Sequence, residues 1–223
     1  MKGKGSGDEG SAVYKDQSTL TLIIWLALVA AAIEAVITAR YSLAFVALVT
    51  LGLSMLPVYV ARWAGIRVPP SFMLAVVAFV GGTIFLGEVA DFYNRFWWWD
   101  IAMHGGSAIG FGLIGFVLVF MMFQGDRFAA PPSAVAFFAF CFALAIGAMW
   151  EVFEFTMDEL FGFNMQKSGL RDTMGDLIVD MIGALIGAGS GYAYLRGRAE
   201  GGLSGVINDF VSRNPRFFRK WRK

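Results

Sequence analysis

Six apolar runs, each near twenty residues, follow one another along the chain, and polar breaks separate them. About twenty apolar residues wound as a helix match the thickness of a bilayer core, so each run predicts a membrane-spanning helix. The first covers about residues 19–39 and follows a lead, 1–17, of Gly, Ser and charges of both signs. That lead has the composition of a disordered tail. Its mixed charge and the long apolar core after it fit a retained helix better than a cleaved signal peptide. The second run covers about 42–61. Pro69, Pro70 and Ser71 open the third, which reaches Phe92, and the fourth runs from Trp99 to Phe123. Pro131, Pro132 and Ser133 open the fifth, which ends near Leu160, and the sixth runs from Arg171 to Leu195. Proline suits a helix start and serine an N-cap. The pattern predicts an all-α polytopic bundle of six transmembrane helices over 18–196, between the N-terminal tail 1–17 and a basic-aromatic tail 197–223.

Composition strengthens this picture. Of 223 residues, 57% are hydrophobic and only 16% charged, far from an ordinary soluble domain. The net charge of +1 hides a segregation by segment. With six spans, both tails and every second loop share one side, and that side carries 14 of the 18 Lys and Arg. The positive-inside rule places it in the cytoplasm, so the chain reads as multi-pass in the cytoplasmic (inner) membrane with both termini cytoplasmic. The end of the chain, Arg216 to Lys223, interleaves basic and aromatic residues and suits an anionic leaflet. So short a basic run does not specify nucleic acid, and none is expected as a partner. Cys141 is the single cysteine, which excludes an intrachain disulfide. Trp97, Trp98 and Trp99 read as an interfacial anchor.

Within the apolar frame, carboxylates sit where lipid makes them costly. Glu151, Glu154 and Asp158 are spaced i, i+3, i+7; Asp172, Asp176 and Asp180 are spaced i, i+4, i+8. Each set makes one stripe on a helix. Such stripes usually face a bundle interior or a watery cavity. From Asp172 to Asp180 is about 12 Å of helix, so the stripe descends well below the headgroups. Glu88, Asp91, Asp100 and His104, the one histidine, fall in the same extracytoplasmic half of the spans, with Glu34 at a similar level. The motifs also hint at duplication. Gly87-Glu88-Val89-Ala90-Asp91-Phe92 matches Trp150-Glu151-Val152-Phe153-Glu154-Phe155, and both spans open with Pro-Pro-Ser. The third and fourth spans then read as one helical hairpin and the fifth and sixth as its repeat.

Charge decides what such a cluster can do. Nine acids face at most His104, Arg95, Lys167 and Arg171, and they cannot all be ionised and buried without more positive charge. Protons, a metal ion or a cationic substrate would supply it. Carboxylates with one imidazole suit Mg²⁺, Mn²⁺, Fe²⁺ or Zn²⁺, and helix bundles build dinuclear sites from such side chains. The candidate metal ligands are Glu88, Asp100, His104, Glu151, Glu154, Asp176 and Asp180. The candidate catalytic residues are Glu151, Asp176 and His104, with Arg171 to hold the anionic part of a lipid or lipid-linked substrate. The leading expectation is a metal-dependent enzyme in contact with membrane lipid. A cation or proton carrier using the same acids is the alternative, and a structural protein with paired or solvated acids the third reading. Glycines 105, 106, 110, 183, 187 and 189 read as close helix packing.

At these motifs the chain resembles the YjdF-like family of integral membrane proteins, from the first span through the sixth. It is also distantly similar to VanZ-like proteins, whose pattern matches Asp100 and His104, then Glu151 and Glu154, then Arg171, Asp176, Asp180 and Gly183. Ile101 and Glu154 stand where that pattern usually has Lys and often Gln, which adds negative charge here. Both resemblances imply the membrane fold and the polar cluster rather than a particular reaction.

Overall fold

The computed structural model describes residues 17–123, 126, 129–198 and 201–219. The tail before residue 17, Arg127 and residues 220–223, on which some of the expectations above fall, lie outside the described residues. All regular elements described are helical, and six helices are long and apolar enough to cross a membrane. The chain divides into two compact units, up to Phe96 and from Trp97 onward.

The first unit holds α1 (Thr19–Ile37), α2 (Tyr41–Trp63), α3 (Pro70–Val80) and the four-residue α4 (Phe92–Arg95). Ser18 caps α1 by accepting from the Thr21 amide at 3.1 Å. Trp25, Val58, Met73 and Val77 form the core of the unit. The indole Nε1 of Trp25 donates to Ser54 Oγ at 3.1 Å, so the one polar atom of that ring is satisfied inside the packing. Beyond Val80 the helix widens to a π-helix over Gly81–Val89, where the Thr83 hydroxyl donates back to Phe79 O at 3.0 Å. Ser71 and Ser133 are not N-caps. Pro69 and Pro131 hold those positions, with Pro70 and Pro132 in the first turn, where a missing N–H costs nothing.

The second unit holds α5 (Trp99–Met122), α6 (Pro132–Phe161), α7 (Leu170–Leu195) and α8 (Gly202–Arg213). The first three pass up, down and up. Lipid-phase helices gain little from apolar burial against one another, so close approach of small residues does the work. Gly183, Gly187 and Gly191 line one face of α7 at i, i+4, i+8 and meet α5. A Cβ on Gly183 would lie 2.7 Å from Gly105 O, and one on Gly187 would lie 2.5 Å from Ile109 O. Gly112 is equally tight against Gly187, and Gly191 seats the Phe116 ring. By contrast Gly106, Gly110 and Gly189 face open space, so spacing alone did not separate packing glycines from permissive ones. Gly187→Ala should therefore cost about 1–3 kcal/mol through overpacking against backbone. Gly189→Ala should be neutral or slightly stabilising, since Gly weakens a helix interior. Thermal melts of both variants in detergent check this; equal melting points would contradict the packing.

The far end of this unit is an aromatic plug. Phe116, Phe120, Tyr194 and Phe218 are all buried, with Phe120 and Phe218 ring centroids 5.3 Å apart. Phe218 comes from the basic-aromatic tail, so that ring packs into protein rather than onto a leaflet. The tail also forms α8 (Gly202–Arg213), a helix that the basic-aromatic pattern alone does not predict. Ile207 and Val211, at i and i+4, are its buried face.

Candidate functional site

The opposite end of the second unit gathers the acids. Asp100 and His104 lie in the first turns of α5, Glu151 and Glu154 in the second half of α6, and Asp172, Asp176 and Asp180 in the first three turns of α7. The up-down-up course puts these three stretches at one end. The tight glycine crossing just beyond, Gly183 on Gly105, holds α5 and α7 close enough for their side chains to meet.

His104 is the hub. Its Nδ1 lies 3.4 Å from Asp180 Oδ1 and 3.5 Å from Oδ2. Its Nε2 lies 3.9 Å from Glu151 Oε1 and 3.9 Å from Asp100 Oδ1. The last contact is too long for the plain i, i+4 hydrogen bond that the spacing allowed. His104, Glu151, Asp176 and Asp180 are 8%, 4%, 6% and 1% exposed. Burial this deep normally comes with hydrogen bonds. Here neither oxygen of Glu151, nor Oδ1 of Asp180, lies at ordinary hydrogen-bond distance from a partner among the described residues, although the Thr173 hydroxyl is close enough to Glu151 to stabilise its charge.

Two sets of donors are close enough to share an ion. One oxygen each of Glu151 and Asp176 and a His104 ring nitrogen lie within 4.8 Å of one another. The same holds for Asp100, Asp172 and Asp176. Asp176 belongs to both sets. Asp180 belongs to neither and instead backs the imidazole. Its carboxylate occupies space that α6 leaves at Gly147, where a Cβ would fall 2.2 Å from Asp180 Oδ2.

The rim is ordered by Asp158. Its two oxygens accept the backbone amides of Met165 and Gln166 at 2.7 and 2.9 Å, folding the α6–α7 loop back onto α6. That fold brings Gln166 Nε2 to the Thr173 hydroxyl at 2.6 Å and Lys167 Nζ to Asp100 Oδ2 at 3.6 Å. Asp158 thus acts on the loop rather than standing in water. Arg171 is exposed at the start of α7 and is not paired with Asp158 or Asp172. Glu154 is half-buried and accepts from Trp150 Nε1 at 2.9 Å, beside the cluster but in neither donor set.

Glu88 and Asp91 belong to the first unit and are exposed there. Glu88 sits on the π-helix, whereas Glu151, its counterpart in the sequence match, is buried on a regular α-helix. The two motifs are alike in letters and different in local geometry, and the third and fourth spans fall in separate units. Asp91 has φ 62°; its carboxylate accepts from Asn94 Nδ2 at 2.7 Å, and Arg95 meets it through the backbone, its amide donating to the Asp91 carbonyl at 3.1 Å. Glu34 pairs with Arg40 on the unit's exterior.

A family model described as "Predicted membrane protein (DUF2238)" matches residues 19–197, the whole set of apolar spans. An uncharacterised protein of Thermotoga maritima is 32% identical over 103 residues, covering 44% of this chain and 50% of the relative. The chain thus spans about half the length of the curated relative it matches. No solved structure matches.

Proposed function

The chain belongs to the DUF2238 family of membrane proteins, and on that premise we propose that it is a metal-dependent membrane enzyme acting on a lipid or lipid-linked substrate. The observation that carries this reading is Glu151: a carboxylate 4% exposed, with neither oxygen at ordinary hydrogen-bond distance from a partner among the described residues, facing an imidazole and a second buried carboxylate. A buried, unsatisfied carboxylate is expensive in any protein and more so at membrane depth. A divalent cation removes that cost.

Glu151, Asp176 and the Nε2 of His104 would hold the ion. Asp180 would steer the ring through Nδ1, the arrangement by which a carboxylate fixes the orientation of a metal-ligating imidazole. A bound ion supplies a Lewis acid, which lowers the pKa of water or polarises a phosphoryl or acyl oxygen. Arg171, exposed at the rim and able to form paired hydrogen bonds to an anion, suits the charged head of an amphiphile. Exposed Trp150, Val152, Phe153 and Phe155 on α6 suit its apolar part. The distribution of Lys and Arg turns this end outward and both termini toward the cytoplasm. The VanZ-like resemblance rests on these same residues and belongs with this reading.

The carrier reading draws on one feature, an imidazole with carboxylates beyond both ring nitrogens. Against it, the other end of the same unit is packed, among the described residues, with the buried rings of Phe116, Phe120, Tyr194 and Phe218, a poor lining for an ion's path. Elemental analysis of purified wild type beside Glu151→Gln and Asp176→Asn separates the two. Stoichiometric metal in the wild type, lost in both variants, supports the enzyme. Metal-free wild type that takes up protons or cations in proteoliposomes overturns it in favour of the carrier.

A further inference from the structure

We infer that the centre is dinuclear: a second divalent ion binds Asp100 and Asp172 and shares Asp176 with the ion held by His104 and Glu151. This rests on the metal-binding reading above and extends it to the number of ions and the bridging residue. Two donor sets, each with atoms within 4.8 Å of one another, have Asp176 in common. That residue is 6% exposed, and its carboxylate accepts no hydrogen bond among the described residues. A monodentate ligand of one ion would leave the other oxygen of this carboxylate without a protein partner, whereas a bridging carboxylate uses both.

Charge points the same way. Besides Asp158, which is committed to the loop amides, and the exposed Glu159, six carboxylates form the cluster at this end of the unit: Asp100, Glu151, Glu154, Asp172, Asp176 and Asp180. The ammonium of Lys167 reaches Asp100, and it is also within electrostatic range of Asp172. With His104 neutral as a ligand and Lys167 in place, one divalent ion leaves the ionised set three charges negative; a second ion, with Lys167 displaced, leaves it two negative. Lys167 stands beside the outer set as a single positive charge on a flexible stem. A second ion would displace its ammonium toward solvent, where that side chain is already one-third exposed.

Manganese is the probe, because its spin reports both occupancy and neighbours. The purified full-length protein is saturated with Mn²⁺, freed of excess, and read by elemental analysis and electron paramagnetic resonance. The expected wild type carries two Mn²⁺ per chain with a spin-coupled spectrum. Asp172→Asn should retain one ion with an uncoupled six-line spectrum, and that retained ion shows the variant to be folded. Asp176→Asn should lose both. One uncoupled ion in the wild type, unchanged in Asp172→Asn, overturns the dinuclear centre and leaves the mononuclear reading standing. Two ions without coupling, both kept in Asp172→Asn, likewise overturn the bridge. No bound Mn²⁺ in the wild type overturns both readings.

Discussion

Chelation should lower the melting temperature of the purified protein by about 8–16 °C, and Glu151→Gln should erase that difference. The size follows from linkage. An ion present at about a thousand times its dissociation constant stabilises the folded state by about 4 kcal/mol. For a chain of this length each kcal/mol moves the midpoint by about 2–4 °C. The sign for the variant comes from Glu151 itself. In the ion-free protein its carboxylate is buried with neither oxygen at ordinary hydrogen-bond distance from a partner among the described residues, so it opposes folding. The amide of Gln removes the charge and with it most of the desolvation cost. Ion-free Glu151→Gln should then melt at or above ion-free wild type, while ion-loaded wild type melts above both. A thermal-shift series in detergent, with and without chelator, checks all four combinations. If chelator leaves wild type unchanged and Glu151→Gln melts lower in every condition, the carboxylate is a structural group and the metal site falls.

The six spans were legible because bilayer thickness imposes a length on apolar runs, and the observed bounds lie within a few residues of the expected ones. The stripes on α6 and α7 were legible too. Acids repeating at helical spacing in an apolar run have few places to go, and Glu151, Asp176 and Asp180 are all buried. Which apolar face packs inward was not legible. In a membrane both lipid and protein interior favour the same residues, so hydrophobic periodicity loses its meaning and only close-packed small residues mark the contact. Gly183 and Gly187 stood out for that reason, but Gly189 looked the same in sequence and faces open space. Gly112, Gly115, Gly147 and Gly191 carried the packing unnoticed. The spacing of Glu88 misled in a different way. Its motif copies that around Glu151, yet the local helix is π and its side chain is exposed, and no letter pattern announces that widening. Helix α8 was hidden by charge: the eye follows the basic residues, while Ile207 and Val211 at i and i+4 mark the buried stripe.

Gly147→Ala changes no ligand and should still reduce metal affinity by about 10–100-fold, the usual cost of disturbing the group behind a metal-ligating histidine. The added Cβ would lie 2.2 Å from Asp180 Oδ2, the oxygen that His104 Nδ1 approaches at 3.5 Å, and 3.2 Å from Asp180 Cβ. Rotating the carboxylate alone relieves the first contact and leaves the second tight, so Asp180 has to leave its seat. Its departure frees the imidazole to turn, and Nε2 no longer faces Glu151. Alanine also favours a helix interior over glycine, so the variant should insert and fold, with loss confined to the site. Metal titration of Gly147→Ala beside Gly106→Ala, whose glycine faces open space, isolates the effect from helix propensity. A matching loss in both variants would mean that helix stiffness, not the Asp180 seat, governs binding. An unchanged affinity in Gly147→Ala would remove Asp180 from any part in orienting His104. Restoration by the double variant Gly147→Ala with Asp180→Ala is not expected. Making room for the methyl group deletes the carboxylate that the room was there to hold, and a cavity-filling account predicts rescue where an orienting role predicts none.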